Sequence, residues 1–249
     1  MTTGTEKTVG TWVAERLGRH AVFAHYGIDF CCGGATPLAV ACRDAGHDAD
    51  EVLAALAADD RAAATRVDPG TADWTRVPLA ALCDHIESTH HTFMKSILPR
   101  IAQLLGKVVD AHGTHHPELA DVAGVFADLR GEISDHLAKE EQVLFPLIRR
   151  METTGEVPRA HCGSVGNPIR VMEHEHDRAG EALRRLRELT GGYEAPADGC
   201  TTYRALMADL AEMESDLHLH IHKENNILHP RARRLEDELA ARDGRKGNA

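Results

Sequence analysis

Two segments of this chain place a histidine and a glutamate on the apolar stripe of a helix. That placement constrains the fold more than any other feature. One segment reads His136-Leu-Ala-Lys-Glu140-Glu-Gln-Val-Leu-Phe-Pro146, the other His220-Ile-His-Lys-Glu224-Asn-Asn-Ile-Leu-His-Pro230, a shared H-x-x-K-E-x-x-x-L-x-P. Upstream of the first, Leu119, Val122, Phe126, Leu129 and Ile133 step by three and four residues, and His136 and Glu140 continue the series. Upstream of the second, Tyr203, Leu206, Leu210, Met213 and Leu217 do the same, and His220 and Glu224 follow. Residues so spaced share one face of a helix. Two further stripes read Ile169, Met172, His176, Ala179, Leu183, Leu186 and His91, Met94, Leu98, Ile101, Leu105, Val108.

Six ionisable side chains thus occupy core positions of four stripes. A buried carboxylate without a counter-charge costs several kcal/mol or takes up a proton. Two divalent cations remove the difficulty, because the side chains become ligands. The spacing serves that purpose: residues i and i+4 lie about 5–6 Å apart between Cβ atoms, so a His and a Glu can grip one ion or two adjacent ions. His91 precedes His136 by 45 residues and His176 precedes His220 by 44, so each half of the repeat contributes one His, then a His and a Glu. Four imidazoles and two carboxylates able to bridge suit Fe or Mn, and ligand type alone admits Zn. The same periodicity places His90, rather than His91, on the stripe if the register shifts by one. His85 lies too far before His91 to share its ion. His174, His218 and His222, with His90 in the favoured register, fall off the stripes and are expected at the surface. His112, His115 and His116 fall in a loop. Glu132 and Asp216, one turn before His136 and His220, are expected to accept the outer imidazole N–H of those residues, with Glu175 a weaker candidate. A solvated helix face is the competing expectation for all three acids.

Four long helical patterns carry these stripes: 78–110, 117–151, about 168–190 and 201–241. Breaker-rich segments separate them, and Pro78, Pro117 and Pro168 sit where first-turn prolines belong. An antiparallel four-helix bundle is the expected fold. Residues 66–77, with Pro69, Gly70 and Asp73, read as a linker. Residues 1–65 read as a small helical domain, and 78–249 as the bundle. Low aromatic content, 4%, agrees with an all-α chain. The formal net charge of -11 argues against nucleic acid as a partner. The start, MTTGTEKTVG, has no apolar signal region, and no apolar stretch is long enough to span a bilayer. Six cysteines without framework spacing fit a reducing compartment, so a soluble cytoplasmic protein is expected.

The small N-terminal region contains Tyr26-Gly-Ile-Asp-Phe-Cys31-Cys32-Gly-Gly34. Together with His91, His136-Leu-Ala-Lys-Glu140, Val-Met-Glu173-His-Glu-His176-Asp and His220-Ile-His-Lys-Glu224-Asn-Asn, it resembles the hemerythrin-like di-iron proteins that repair iron–sulfur clusters. The resemblance covers nearly the whole chain. It implies two non-haem Fe ions, oxo- or hydroxo-bridged, on His91, His136, Glu140, His176, His220 and Glu224, with both Glu bridging. It also implies a role under nitric oxide and oxidative stress, restoring iron to damaged iron–sulfur proteins, in a cytoplasmic protein able to dimerise. Oxygen-carrying hemerythrins have an additional His on the third helix. Here Met172 and Gly180 flank His176 at one turn, and a centre with fewer His ligands should exchange iron more readily.

Cys31 and Cys32 are adjacent, which suits neither a comfortable disulfide nor a C-x-x-C redox site. Backbone N–H groups of a helix beginning near Pro37 are expected to lower a thiolate pKa there. With the family signature, the pair reads as a thiol site that accepts iron, a nitrosyl group or a partner cluster. Without it, the pair reads as two small core residues. Cys42, Cys83 and Cys200 are expected to be buried, and Cys162 has no assigned role. Three functions share the same ligands: iron–sulfur cluster repair, nitric oxide reduction at the di-iron centre, and sensing of oxygen or nitric oxide by a binding module. The residues leave open whether the centre is enzymatic. Nothing resembles a flavin or nicotinamide site, so a reductase would need an external electron donor.

Overall fold

The computed structural model describes residues 4–64, 73–157 and 163–246. The chain runs through α1 (Val9–Glu15), a 3-10 turn (Leu17–Arg19), α2 (His20–His25), α3 (Leu38–Asp44), α4 (Ala49–Ala64), α5 (Leu79–Ile86), α6 (Thr92–His112), α7 (Glu118–Lys139), α8 (Phe145–Thr154), α9 (Gly166–Leu189), α10 (Thr201–Lys223) and α11 (His229–Lys246). Wide π-helical turns join α5 to α6 (Glu87–His91), α7 to α8 (Glu140–Leu144) and α10 to α11 (Glu224–Leu228). Among the described residues there is no strand, and Thr8 and Pro37 form an isolated bridge. The fold is all-α, and each of the four expected long helices is present, three of them carrying a π turn. No helix among the described residues is long and apolar enough to cross a membrane. Of the expected linker, residues 66–72 lie outside the described residues and 73–77 form turn and bend. Cys162 also lies outside them.

The chain packs as two compact units, Met1–Leu82 with His218–Ala249, and Cys83–Leu217. In the second unit, α6, α7, α9 and the first part of α10 turn their stripes inward. Met94, Leu98, Ile101, Leu105, Val108, Leu119, Val122, Phe126, Leu129, Ile133, Ile169, Met172, Leu183, Leu186, Tyr203, Leu206, Leu210, Met213 and Leu217 are all buried. Each large aliphatic or aromatic side chain so buried contributes roughly 1.5–3 kcal/mol of transfer free energy. The π turn Glu140–Leu144 has a local cause in Pro146. A proline there has no N–H for the carbonyl of Gln142, and its ring would clash with that carbonyl in a regular α-helix. Widening the turn relieves the conflict, and Pro146 becomes a first-turn proline of α8. Pro230 stands in the same relation to Glu224–Leu228.

In the first unit, the open N-terminus of α1 organises the Cys-Cys-Gly-Gly loop. The Val9 N–H donates to the Thr36 carbonyl at 3.0 Å and the Gly10 N–H to the Gly34 carbonyl at 2.8 Å, which supplies acceptors for a helix end that has none of its own. Thr8 caps the same end through its hydroxyl. Arg16 and Arg19 tie this region to α4: Arg16 pairs with Asp59 and Asp60, and Arg19 with Asp60 at 2.8 Å. Gly10 and Gly34 leave room for one polar group, the Asn226 carboxamide, and a Cβ on either glycine would overlap it. Asn226 donates from Nδ2 to the Cys31 carbonyl at 3.0 Å, and its neighbour one turn earlier, His222, contacts the Phe30 carbonyl at 3.2 Å. Gly34→Ala should therefore displace Asn226 and lower stability by about 1–3 kcal/mol. Thermal unfolding by circular dichroism reads this; an unchanged Tm would show that the close approach carries no stability.

Candidate metal centre

Glu140 opens the π turn after α7 and is 0% exposed. Its two oxygens face different imidazoles: Oε2 lies 3.3 Å from His91 Nε2 and Oε1 lies 3.4 Å from His136 Nε2. His176, on α9, brings its Nε2 to 3.0 Å from His136 Nε2. His91 stacks on Phe145 with ring centroids 5.6 Å apart, which fixes the plane of the imidazole. At the end of α10, His220 Nε2 lies 3.1 Å from Glu224 Oε1. All six side chains predicted as ligands are buried. Within the second unit His91, Glu140, His136 and His176 follow one another in a connected series, and within the first His220 and Glu224 lie one turn apart; these are the donors that could hold a metal ion.

The outer ring nitrogens set the tautomers. His91 Nδ1–H donates to Glu141 Oε1 at 2.8 Å, and His136 Nδ1–H donates to Glu175 Oε2 at 2.9 Å. Each imidazole then turns an Nε2 lone pair inward, the form a metal requires. An ammonium backs each outer carboxylate: Lys95 Nζ reaches Glu141 at 2.6 Å and Lys139 Nζ reaches Glu175 at 2.5 Å. Burial raises both carboxyl pKa values, but the Lys and His partners outweigh it and hold them below the ordinary range. With its Nδ1–H committed, His136 faces His176 with an inward lone pair, an arrangement that a shared cation satisfies. The donors present, imidazole nitrogen and carboxylate oxygen with no sulfur, fit a pair of borderline-to-hard divalent ions.

Several sequence expectations need correction. Glu132 does not serve His136; it pairs with Arg178, and Glu175 takes the imidazole proton. Asp216 does not serve His220 and accepts instead from His90 Nδ1 at 2.9 Å. His90 and His222 are not at the surface; both are buried, and desolvation pushes the His222 pKa down to about 4. His218 is half-buried and His174 exposed. Glu141 was missed altogether. For His90 and Glu141 the cause is shared: a π turn admits an extra residue, so the 3.6-residue period slips, and both His90 and His91 face inward. Cys42 and Cys83 are buried, but Cys200 is exposed in the loop before α10, where the inward residue is Tyr203. The Cys31 thiol is not activated. Its hydrogen bond to Cys32 and its burial push its pKa up, and the first N–H groups of α3 are turned to the carbonyls of Lys7 and Thr5.

These features define a class: an all-α protein that buries shared carboxylates among oriented imidazoles to hold cations. Residues 82–232 match the family described as Hemerythrin HHE cation binding domain, and residues 5–60 match a domain of unknown function, DUF542. The chain belongs to the hemerythrin HHE cation-binding family. It is 36% identical over 214 residues to a probable iron-sulfur cluster repair protein of Haemophilus influenzae, covering 86% of this chain and 91% of the relative. It is 38% identical to the iron-sulfur cluster repair protein YtfE of Edwardsiella ictaluri, covering 85% and 89%. The corresponding protein of Salmonella paratyphi B is 36% identical, covering 85% and 90%.

The two outer acids can be told apart experimentally. Glu175→Gln should weaken metal retention by about 10–100-fold, because His136 loses its orienting carboxylate. Glu132→Gln should leave retention at the wild-type level. Chelator competition with metal analysis measures both, and equal behaviour of the two variants would contradict the assignment.

Proposed function

We propose that this protein restores iron to iron–sulfur clusters damaged by nitric oxide or oxidative stress, and that it works in the cytoplasm on damaged iron–sulfur proteins. Two Fe ions are held by His91, His136, Glu140, His176, His220 and Glu224, with Glu140 and Glu224 bridging. Residues 78–249 act as the metal-holding bundle, residues 66–77 as the linker, and residues 1–65 as the domain that presents Cys31 and Cys32 to assist transfer. The observation that carries the reading is the Glu140 carboxylate, fully buried with a different imidazole at each oxygen. The names of the relatives over most of the chain's length supply the substrate class.

Bound iron would supply exchangeable metal and a binding position for nitric oxide or oxygen. The chain's own residues orient and release. Glu141 and Glu175 keep His91 and His136 in the metal-binding tautomer. Protonation of either outer acid would free the imidazole to turn and loosen its grip. Only one His, His176, comes from the third helix, since Met172 and Gly180 at one turn on either side offer no ligand. Electrons, where needed, come from an external donor.

Glu140→Ala and Glu224→Ala should each abolish stoichiometric binding of two irons. Unchanged iron content in both variants would refute the bridging assignment. Replacing both Cys31 and Cys32 by Ala should leave the spectrum of the bundle's iron pair intact and reduce repair, and loss of that spectrum would instead place the cysteines in the iron centre. For the function itself, the reduced protein is incubated with a nitric-oxide-damaged iron–sulfur enzyme, and recovered activity is measured alongside iron transfer. Nitric oxide turnover without cluster recovery would favour a reductase.

A further inference from the structure

The loop after α2 brings together three metal-ligating side chains that the bundle does not use. Asp29, Cys31 and Cys32 each offer one ligand atom, all within 4.8 Å of one another. Cys31 Sγ lies 3.2 Å from Asp29 Oδ1 and 3.9 Å from Cys32 Sγ. Two thiolates bound at about 2.3 Å to one tetrahedral ion have their sulfurs about 3.8 Å apart. The sulfurs thus already stand at a chelating separation. A disulfide between them would require about 2.05 Å between sulfurs, and the Cα atoms of adjacent residues, about 3.8 Å apart, are closer than disulfides favour.

We infer that Asp29, Cys31 and Cys32 form a separate binding site for one thiophilic divalent cation, such as ferrous iron or zinc, with a coordination position left open. The backbone is set for it before any ion arrives. Asp29 Oδ1 accepts the Cys31 N–H at 2.9 Å, the Thr36 N–H closes on the Gly33 carbonyl at 2.9 Å, and Asn226 fixes the Cys31 carbonyl at 3.0 Å. A preorganised loop spends little of its binding free energy on ordering. The ligand types select the ion: two sulfurs and one carboxylate favour zinc or ferrous iron over magnesium or calcium. Burial grades across the site, with Cys31 buried, Cys32 half-buried and Asp29 exposed, so the open position faces solvent. Three protein ligands plus an open fourth position is the arrangement of metals that exchange ligands rather than of closed structural sites.

The balance is simple. One divalent cation, one carboxylate and two thiols give a complex carrying one net negative charge, and two protons are released. No oxidant or reductant is needed. The inference stands whether or not the chain repairs clusters, because it concerns only the ion and the three side chains.

Cobalt(II) separates this site from the bundle, whose six ligands contain no sulfur. Full-length reduced protein is titrated anaerobically with cobalt. Cobalt held by imidazole and carboxylate shows only ligand-field bands; cobalt held by thiolate adds intense sulfur-to-metal charge transfer in the near ultraviolet. Wild-type protein should show that charge transfer, with a final intensity corresponding to one thiolate-bound cobalt per chain. Cys31→Ser and Cys32→Ser should each reduce it by about half or more while the ligand-field bands of the bundle persist, which also verifies folding. Asp29→Asn keeps an oxygen to accept the Cys31 N–H but removes the carboxylate; it should retain the charge transfer and bind cobalt about tenfold more weakly or worse. Absence of charge transfer in the wild type, its full survival in both serine variants, or wild-type affinity in Asp29→Asn would each overturn the three-ligand site.

Discussion

A fully buried glutamate cannot stay ionised inside a helical core unless positive charge lies beside it, and the second unit is arranged around that requirement at Glu140. Glu140 follows Ile133 and Leu137 and precedes Leu144 and Phe145 along the chain, all buried, and imidazoles lie 3.3 and 3.4 Å from its oxygens. Burial disfavours the charged form of any carboxylate. The imidazoles of His91 and His136 are oriented by their outer Nδ1–H bonds to Glu141 and Glu175, which leaves each Nε2 toward Glu140. Lys95 and Lys139 pair with Glu141 and Glu175 one layer out. A cation bound at Glu140 would add positive charge beside a buried carboxylate, so metal occupancy and fold stability should rise together.

Much of this was legible in the sequence because burial and periodicity are coupled. His136 and Glu140 continue a stripe begun by Leu119, so a helix that buries Leu119 must bury them too, and it does. The same logic accounts for the burial of His91, His176, His220 and Glu224. What it missed depends on local departures from the α period. Glu141 follows directly after a stripe residue and on a regular helix would face some 100° away; the π turn brings it back toward His91. His90 escaped for the same reason. Pro146 and Pro230, six residues after each Glu, were the available signal that the helix must widen there. The choice between Glu132 and Glu175 had no signal of this kind, because it depends on which helix packs beside α7, and α9 brings Glu175 to His136 while Arg178 draws Glu132 away.

The repeat also divides where its environments divide. Lys139 and Lys223 hold equivalent positions in H-x-x-K-E, yet Lys139 is half-exposed beside Glu175 whereas Lys223 is buried with its ammonium 5.7 Å from the Trp74 ring centre. After Glu140 come Glu and Gln; after Glu224 come two Asn. The first pair supplies an acid to an imidazole, and the second supplies Asn226 to the loop that carries Cys31. One repeated pattern thus serves imidazole orientation in one half and loop anchoring in the other.

The anchoring by Asn226 acts on main-chain oxygens, those of Phe30 and Cys31. Every amino acid carries that oxygen, so the grip is indifferent to which side chain stands at either position. The loop can therefore trade its reactive groups, by mutation or by laboratory replacement, without losing its seat. Chemistry and attachment are written in different parts of the same two residues, and each is free to change while the other is kept.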